Sequence, residues 1–286
     1  MEKKKHPIIK FFILIIIIII SVIAYAHFIA PRMMTVHEYK ITDKNITDNF
    51  NGFKIVQISD IHYGRVFDKK SLDKLVKSIN EQKPDIVVLT GDLIDKNTNM
   101  TTTMAKELSD GLKKIIATDK YAITGNHDYK FDEWEYIIQN GGFKNLNNSY
   151  DTIYKDGYND ILIAGVSTAE DKQSINDKLT ETINYLNSFQ QGGPIYNILL
   201  IHEPDIIDDL KINKFNLILA GHTHNGQVRV PGLPPIILPP NGQKYPGPYY
   251  KIGQSDMYVS NGLGVSTIDF RLFNTPSYNI YRLTNK

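Results

Sequence analysis

Five short apolar runs, each ending in a polar cluster, constrain this 286-residue chain more than anything else in it. Phe53–Ser59 leads into Asp60-Ile-His62, Asp85–Thr90 into Gly91-Asp92, and Lys120–Thr124 into Gly125-Asn126-His127-Asp128. Ile195–Ile201 leads into His202, and Phe215–Ala220 into Gly221-His222-Thr-His224. Short β-branched runs bounded by glycine and polar residues read as strands buried on both faces. In open α/β sheets the loops leaving the carboxyl ends of strands form the ligand crevice, so the five clusters are expected to converge on one site.

The residue types in those clusters suit metal ions. Aspartate oxygens are hard ligands and histidine nitrogens borderline ones, a mixture that favours Mn, Fe, Zn or Co over Ca. Two such ions about 3.5 to 4 Å apart can clamp the attacking and leaving oxygens of an in-line displacement, and a water between them becomes hydroxide near neutral pH. One carboxylate must bridge the ions, and Asp92 is the candidate.

The ordered set Asp-x-His, Gly-Asp-x-x-Asp, Gly-Asn-His-Asp, His and Gly-His-x-His resembles the pattern of the calcineurin-like metallophosphoesterases, from about Phe53 to the C-terminus. Each piece alone occurs often by chance; the full set in order is specific. The resemblance implies an α/β fold, a four-layer αββα sandwich of two packed mixed sheets with outer helices. It implies that Asp60, His62, Asp92 and His224 hold one divalent ion and that Asp92, Asn126, His202 and His222 hold a second, Mn first, with Zn or Fe as alternatives. It gives His127 the part of a non-ligand catalytic residue and Asp95 the part of its orienting carboxylate, which would fix the tautomer and favour imidazolium. The implied reaction is hydrolysis of a phosphodiester or pyrophosphate by attack of a metal-bound hydroxide.

Within the family, Ser59-Asp-Ile-His62, the Gly-His-Thr-His-x-Gly-Gln segment at 221–227, Asn261-Gly-Leu-Gly264 and Arg271-Leu-Phe273 are similar to a membrane-associated bacterial branch, which includes phosphodiesterases and lipid A precursor pyrophosphate hydrolases. Asn225 stands where that branch has glycine; asparagine tolerates positive φ, so the turn should survive with a side chain entering the mouth of the site. The Arg-Gly that follows Gly-Asp-x-x-Asp in Ser/Thr phosphatases is replaced by Lys96-Asn97, which argues against phosphoproteins. A phosphomonoesterase would share these residues. A binding module on the same fold would lack ligands, and every ligand position is filled.

The N-terminus carries the second signal. Lys3, Lys4, Lys5 and Lys10 precede a stretch free of Asp, Glu, Lys and Arg from Phe11 to Ala30, and about 20 apolar residues span a bilayer as a helix. The expected organisation is a basic cytoplasmic segment at 1–10, a transmembrane anchor at 11–30, a juxtamembrane linker at 31–51 with one strand near Thr35–Ile41, and a catalytic domain at 52–286. The lysine bias places that domain outside the cytoplasm. The competing reading is a signal peptide cut at Ala24-Tyr-Ala26, which exports the domain equally. A flexible linker of about 20 residues would keep the site within tens of ångströms of the membrane. Expected substrates are therefore phosphorylated small molecules, lipids or cell-envelope polymers.

A net charge of +1 gives no electrostatic case for nucleic acid, and the lack of cysteine excludes disulfides and thiolate ligands. Helical patterns at Lys69–Gln82, Thr102–Ala117 and Ser174–Phe189 alternate with strands, and further strand-like runs lie at Ser149–Tyr154, Asp160–Val166, Met257–Ser260 and Tyr278–Leu283. Residues 231–250 hold seven of 13 prolines and read as a stiff loop. That loop is either a surface connection packed on the sheet, the preferred reading, or a substrate wall offering Leu233, Ile236, Ile237 and Leu238. Arg65 and Arg271 are either phosphate contacts or solvated charges. His6, His27 and His37 read as structural. Asp128 reads as the cap of a turn before Trp134, and Tyr63 and Tyr129 as weak stacking candidates.

Overall fold

The computed structural model describes residues 7–155, 160–171, 173–189, 192–210, 212–235 and 237–285. Lys3, Lys4, Lys5, His6 and Ile236 lie outside the described residues. An apolar helix, α1 (Pro7–Ala24), leads through a π-helical turn at Tyr25–Ile29 and a 3-10 turn at Ala30–Arg32 into the first strand. The strands are β1 (Thr35–Thr42), β2 (Lys54–Ile58), β3 (Ile86–Thr90), β4 (Asp119–Ile123), β5 (Lys144–Asn145) and β6 (Ser149–Tyr154), then β7 (Asp160–Gly165), β8 (Tyr196–Leu200), β9 (Leu217–Ala220), β10 (Tyr249–Ile252), β11 (Ser255–Val259) and β12 (Ser277–Thr284). Between them lie helices α2 (Lys69–Gln82), α3 (Thr102–Lys113), α4 (Glu133–Asn140) and α5 (Thr180–Ser188).

Two six-stranded mixed sheets result, in the orders β1-β12-β2-β3-β4-β5 and β10-β11-β9-β8-β7-β6. Strand periodicity explains the layers. In β3, Ile86 and Val88 point into the core between the sheets, while Val87 and Leu89 point outward under α2, α3 and α4. In β8 and β9, Ile198, Leu200, Leu217 and Leu219 meet the first sheet, while Leu199 and Ile218 face α5 and the 204–209 turn. The helices are sided to match. Helix α2 starts at Asp68, whose carboxylate accepts the Ser71 N–H, and buries Leu72, Leu75, Val76 and Ile79 on one face. Each such side chain contributes roughly 1.5–3 kcal/mol of burial. The architecture is the expected αββα sandwich.

The stretch read as a linker at 31–51 is not a free tether. Only Met33 and Met34 separate Arg32 from β1, which pairs in parallel with β12 along its whole length, from Thr35 with Ser277 to Thr42 with Thr284. Ile41, Ile46 and Phe50 then enter the core between the sheets. Burial of those side chains fixes the segment, so the sandwich starts at residue 35 and the apolar helix joins it with almost no slack. Pro7–Arg32 is one continuous helical stretch of 26 residues, long and apolar enough to cross a membrane, with none of its apolar window buried in the protein.

Candidate metal centre

The five clusters meet where β2, β3 and β4 of one sheet and β8 and β9 of the other end side by side. Past β2 and β3 the pairing runs on into the loops: the Asp60 N–H donates to Gly91 O at 3.0 Å, His62 N–H to Asp92 O at 3.0 Å and Tyr63 N–H to Leu93 O at 2.9 Å. This lacing holds Asp60, His62 and Asp92 in the left-handed region at φ 52°, 48° and 52°; His222 and His224 adopt it on the other sheet at 72° and 48°. Each such residue costs about 1–3 kcal/mol, so five at one point show backbone strain held by the surrounding sandwich. Glycine makes the close approach possible, since a Cβ at Gly125 would lie 2.2 Å from Asp92 Oδ1.

Asp92 stands at the middle. Its Oδ1 lies 3.4 Å from His202 Nε2, and its Oδ2 lies 3.6 Å from His62 Nε2. On the Oδ2 side, His62 Nε2 and His224 Nε2 are 3.0 Å apart, and His224 Nε2 is 3.6 Å from Asp60 Oδ1. On the Oδ1 side, His202 Nε2 is 3.3 Å from Asn126 Oδ1, and one ligand atom each of Asp92, His202 and His222 lie within 4.8 Å of one another. Donors about 2.0–2.2 Å from a common ion sit some 3–4 Å apart, so both groups fit divalent metals. On the other side of the His62 ring, Nδ1 and Asp95 Oδ2 are buried 3.5 Å apart without a hydrogen-bond partner.

Ring orientation is set from outside. His202 Nδ1 lies 2.8 Å from Thr90 O, and His222 Nε2 lies 2.7 Å from Pro240 O, so each ring donates to a carbonyl and turns its other nitrogen inward. Charges follow this packing. Burial acts to raise the Asp92 carboxyl, but His202, His127 and His62 outweigh it and hold the group well below the usual carboxylate range. Burial and His202 lower His222, and burial, Arg271 and His62 hold His224 well below the ordinary histidine value. Both rings are thereby kept neutral, the form that can bind a metal, whereas for His202 burial acts to lower the ring but Asp92 and Asp60 outweigh it and raise it well above the ordinary histidine value.

His127 is buried beside the pair, its Nε2 3.9 Å from Asp92 Oδ2. Asp95 Oδ2 lies 3.6 Å from His127 Nδ1, but equally 3.5 Å from His62 Nδ1, while the Lys96 backbone N–H donates to His127 Nδ1 at 3.1 Å. An accepting Nδ1 puts the proton of the neutral ring on Nε2, so the geometry departs from the expected Asp95-held imidazolium. Burial acts to raise Asp95, and His127 and His62 outweigh it and lower it.

Several residues sit differently from expectation. Asp128 does not cap α4: it is fully buried and accepts the N–H groups of Leu93, Ile94 and Gly125, tying the loop after β3 to the loop after β4. Burial and the neighbouring Asp92 push its carboxyl up to about 7. Arg65 is engaged by the protein itself: it pairs with Asp269 at 2.6 Å, donates to Thr267 O and reaches Asp95 Oδ2 at 3.7 Å. Arg271 is not a solvated charge but fully buried. Asn225 has φ 49°, as a glycine substitute should, yet its Oδ1 accepts from Arg229 Nη1 at 2.6 Å instead of entering the site. Tyr63 is buried with its hydroxyl on Glu107, and Tyr129 is exposed. His27 is structural, its Nδ1 3.0 Å from Asp269 O.

A cavity of about 440 Å³ opens over the centre. Asp92, Asn126, His127, His222 and His224 form its floor, Ile237 to Asn241 one wall, and Ser266, Thr267 and Ile268 another. Residues 237–241 of the proline-rich segment thus form a wall of the cavity, while Tyr245 and Tyr250 pack on the second sheet. Lys96 and Gln227 also line the cavity. Gln227 accepts the Ser266 N–H at 2.9 Å and donates to Ile268 O at 2.7 Å, which holds the second wall. Its place in the Gly-His-Thr-His-x-Gly-Gln segment was the sequence signal for it; Lys96 had none.

A family model described as calcineurin-like phosphoesterase matches residues 53–226. The chain is 34% identical over 264 residues to the uncharacterized metallophosphoesterase YkuE of Bacillus subtilis, covering 91% of this chain and 88% of that protein. It is 28% identical to a transmembrane protein with metallophosphoesterase domain of Danio rerio, covering 90% of this chain and 59% of that protein. Among solved structures it resembles TT1561 of Thermus thermophilus, at TM-score 0.47 and 13% identity, over 74% of this chain and 91% of that one. The chain belongs to the calcineurin-like phosphoesterase family and is a hydrolase of the metallophosphoesterase class. The family is metal-dependent, and the clustered histidines and aspartates are groups that can bind metal.

Proposed function

We propose that this chain hydrolyses a phosphodiester or pyrophosphate bond of an envelope-associated substrate, using two divalent ions, Mn foremost. The site roles proposed are ligation by Asp60, His62, Asp92 and His224 on one side and by Asp92, Asn126, His202 and His222 on the other. The observation that carries this is Asp92, whose two oxygens face two separate groups of nitrogen and oxygen donors. When bound, such a pair supplies an acidified water and Lewis-acid stabilisation of the phosphoryl oxygens.

The chain's own groups do the rest. His127 holds a proton on Nε2, at the edge of the cavity beside Asp92, where it can pass to the leaving oxygen. Lys96 brings a cation to the cavity for phosphoryl oxygens. Val228, Ile237, Leu238 and Ile268 give the cavity an apolar flank beyond the donors, which leaves room for the second substituent of a diester.

An amphiphilic substrate is supported by what surrounds the mouth. Val230, Leu233, Ile237 and Phe273 are exposed. Ile268 lines the cavity, and Phe270, two residues on, lies with Ile23, His27 and Phe28 in a groove against the apolar helix. Two residues span at most about 7 Å, so the wall and the helix are neighbours. The proposed topology is a single span with the catalytic domain outside the cytoplasm, following the lysine bias at the N-terminus.

The test uses the full chain in detergent, stripped of metal and restored with Mn(II), Zn(II) or Fe(II). Hydrolysis of bis(p-nitrophenyl) phosphate is compared with p-nitrophenyl phosphate, with Asp92→Asn as the blank. Metal-dependent turnover favouring the diester is expected. A preference for the monoester, or an Asp92→Asn chain as active as the wild type, would sink the reading.

A further inference from the structure

Arg271 is the largest fully buried side chain among the described residues. The arginine ion pairs among those residues belong to Arg65 and Arg282, so this guanidinium is buried without a carboxylate salt bridge. A buried cation is costly unless its donors are satisfied, and here they are spent in one place. Nη2 donates to Gly264 O at 2.6 Å and Gly262 O at 3.2 Å, Nε donates to Gly264 O at 3.2 Å, and Nη1 donates to His224 O at 3.3 Å. Nη2 also lies 2.8 Å from His224 Nδ1. The guanidinium therefore grips both the backbone and the ring of His224 from the side opposite the other donors.

What it grips them to is the Asp60 loop. Gly264 N–H donates to Asp60 O at 2.7 Å and Leu263 N–H to Ser59 O at 3.1 Å. The fit leaves no space, since a Cβ at Gly262 would lie 2.8 Å from Asp60 Cβ and from His224 Nδ1. Arg271 thus joins a histidine that follows β9 in one sheet to an aspartate that follows β2 in the other. Its own backbone is held in turn by the end of the apolar helix: Arg271 N–H donates to Ala26 O at 2.9 Å, and His27 Nδ1 lies 3.0 Å from Asp269 O. Ala26 is buried in this junction.

We propose that Arg271 is the positioning residue for His224, and that the turn at Ala26-His27 following the membrane-type helix is part of the scaffold of the metal centre. The inference rests on the metallophosphoesterase reading of the site. It predicts that the group of Asp60, His62 and His224 is the more sensitive to Arg271 and to the helix junction. The group of Asp92, His202 and His222, which takes its ring contacts from Thr90 and Pro240, is the less sensitive. It also predicts that the helix is retained, because a cut after Ala26 would sever the junction.

The experiment titrates the metal-free full chain in detergent with Mn(II), following bound ion by electron paramagnetic resonance, for the wild type, Arg271→Met, Arg271→Lys and His27→Ala. Circular dichroism checks that each variant is folded. The expected result is that Arg271→Met weakens one of two sites by about 10- to 100-fold, the range for an outer partner of a ligand, and leaves the other unchanged. Added methylguanidinium should recover part of the loss. Arg271→Lys, which folds more readily, should fall between, and His27→Ala should weaken the same site by a few-fold. Wild-type isotherms in folded Arg271→Lys and Arg271→Met, or equal weakening of both sites without guanidinium rescue, would overturn the role of Arg271. Failure of the wild type itself to bind Mn(II) would instead overturn the metallophosphoesterase reading on which it rests.

Discussion

The two sheets contribute to the centre in unlike ways. The first supplies Asp60, His62 and Asp92 from two loops bonded to each other through their backbones, and Asn126 from a third loop tied to them by the Asp92 and Asp128 carboxylates, and it brings both central carboxylates. The second supplies only histidines among the donors, His202, His222 and His224, and each ring is aimed by a contact to a carbonyl or to Arg271. One side thus provides the carboxylates; the other provides imidazole nitrogens whose direction depends on a separate group. Loss of Asp92, the first-sheet carboxylate that faces both groups, should remove attraction for both ions, whereas loss of a second-sheet ring should remove one ligand from one ion.

The largest effect should come from Asp92→Asn. Metal content by mass spectrometry should fall for both ions, and kcat/KM should drop by more than the roughly 100-fold typical of an outer partner; His222→Ala should lose one ion and keep the other. Equal losses in the two variants would erase the proposed difference between the sheets. His127→Ala comes next. It should retain its metals while kcat falls by about 10²- to 10⁴-fold, and metal loss in that variant would place His127 among the ligands.

The smallest effect concerns Asp128, the carboxyl that binds the two first-sheet loops together. Its pKa is about 7 in the folded chain, against about 3.9 when unfolded. The folded state therefore keeps a proton that the unfolded chain releases. The stability from this group is full below about pH 4 and is lost as the pH rises through 7. Thermal melts of the metal-free chain at intervals from pH 4 to 8 should show this decline, and Asp128→Asn should flatten it. An unchanged slope would mean that the loop contact does not titrate.

The first-sheet contribution was the more legible in the sequence. Strands such as Ile86–Thr90, buried on both faces, announce themselves as unbroken apolar runs, and the polar clusters behind them mark the loops. Strand β1 was harder to read, since Thr35–Thr42 is largely polar and belongs to the sheet only because β12 lies beside it. The second-sheet supports were mostly invisible. Nothing local distinguishes a buried Arg271 from a solvated one, or shows that Asn225 turns to Arg229; both depend on residues brought near by tertiary packing. The left-handed backbone at Asp60, His62 and Asp92 was equally hidden, because only the pairing of the two loops imposes it.

The position of β12 has a consequence in time. This strand lies between β1 and β2, and it is the one strand that attaches the edge strand β1 to the first sheet. The contact from Thr35 to Ser277 joins residues far apart in sequence, an arrangement that slows folding. Both Asp60 on β2's loop and the helix junction at Ala26 await the same closing stretch, 262–284. A chain lacking that stretch would lose both the partner of β1 and the contacts that hold the Asp60 loop and the helix junction, so one segment ties the sheet, the centre and the helix together.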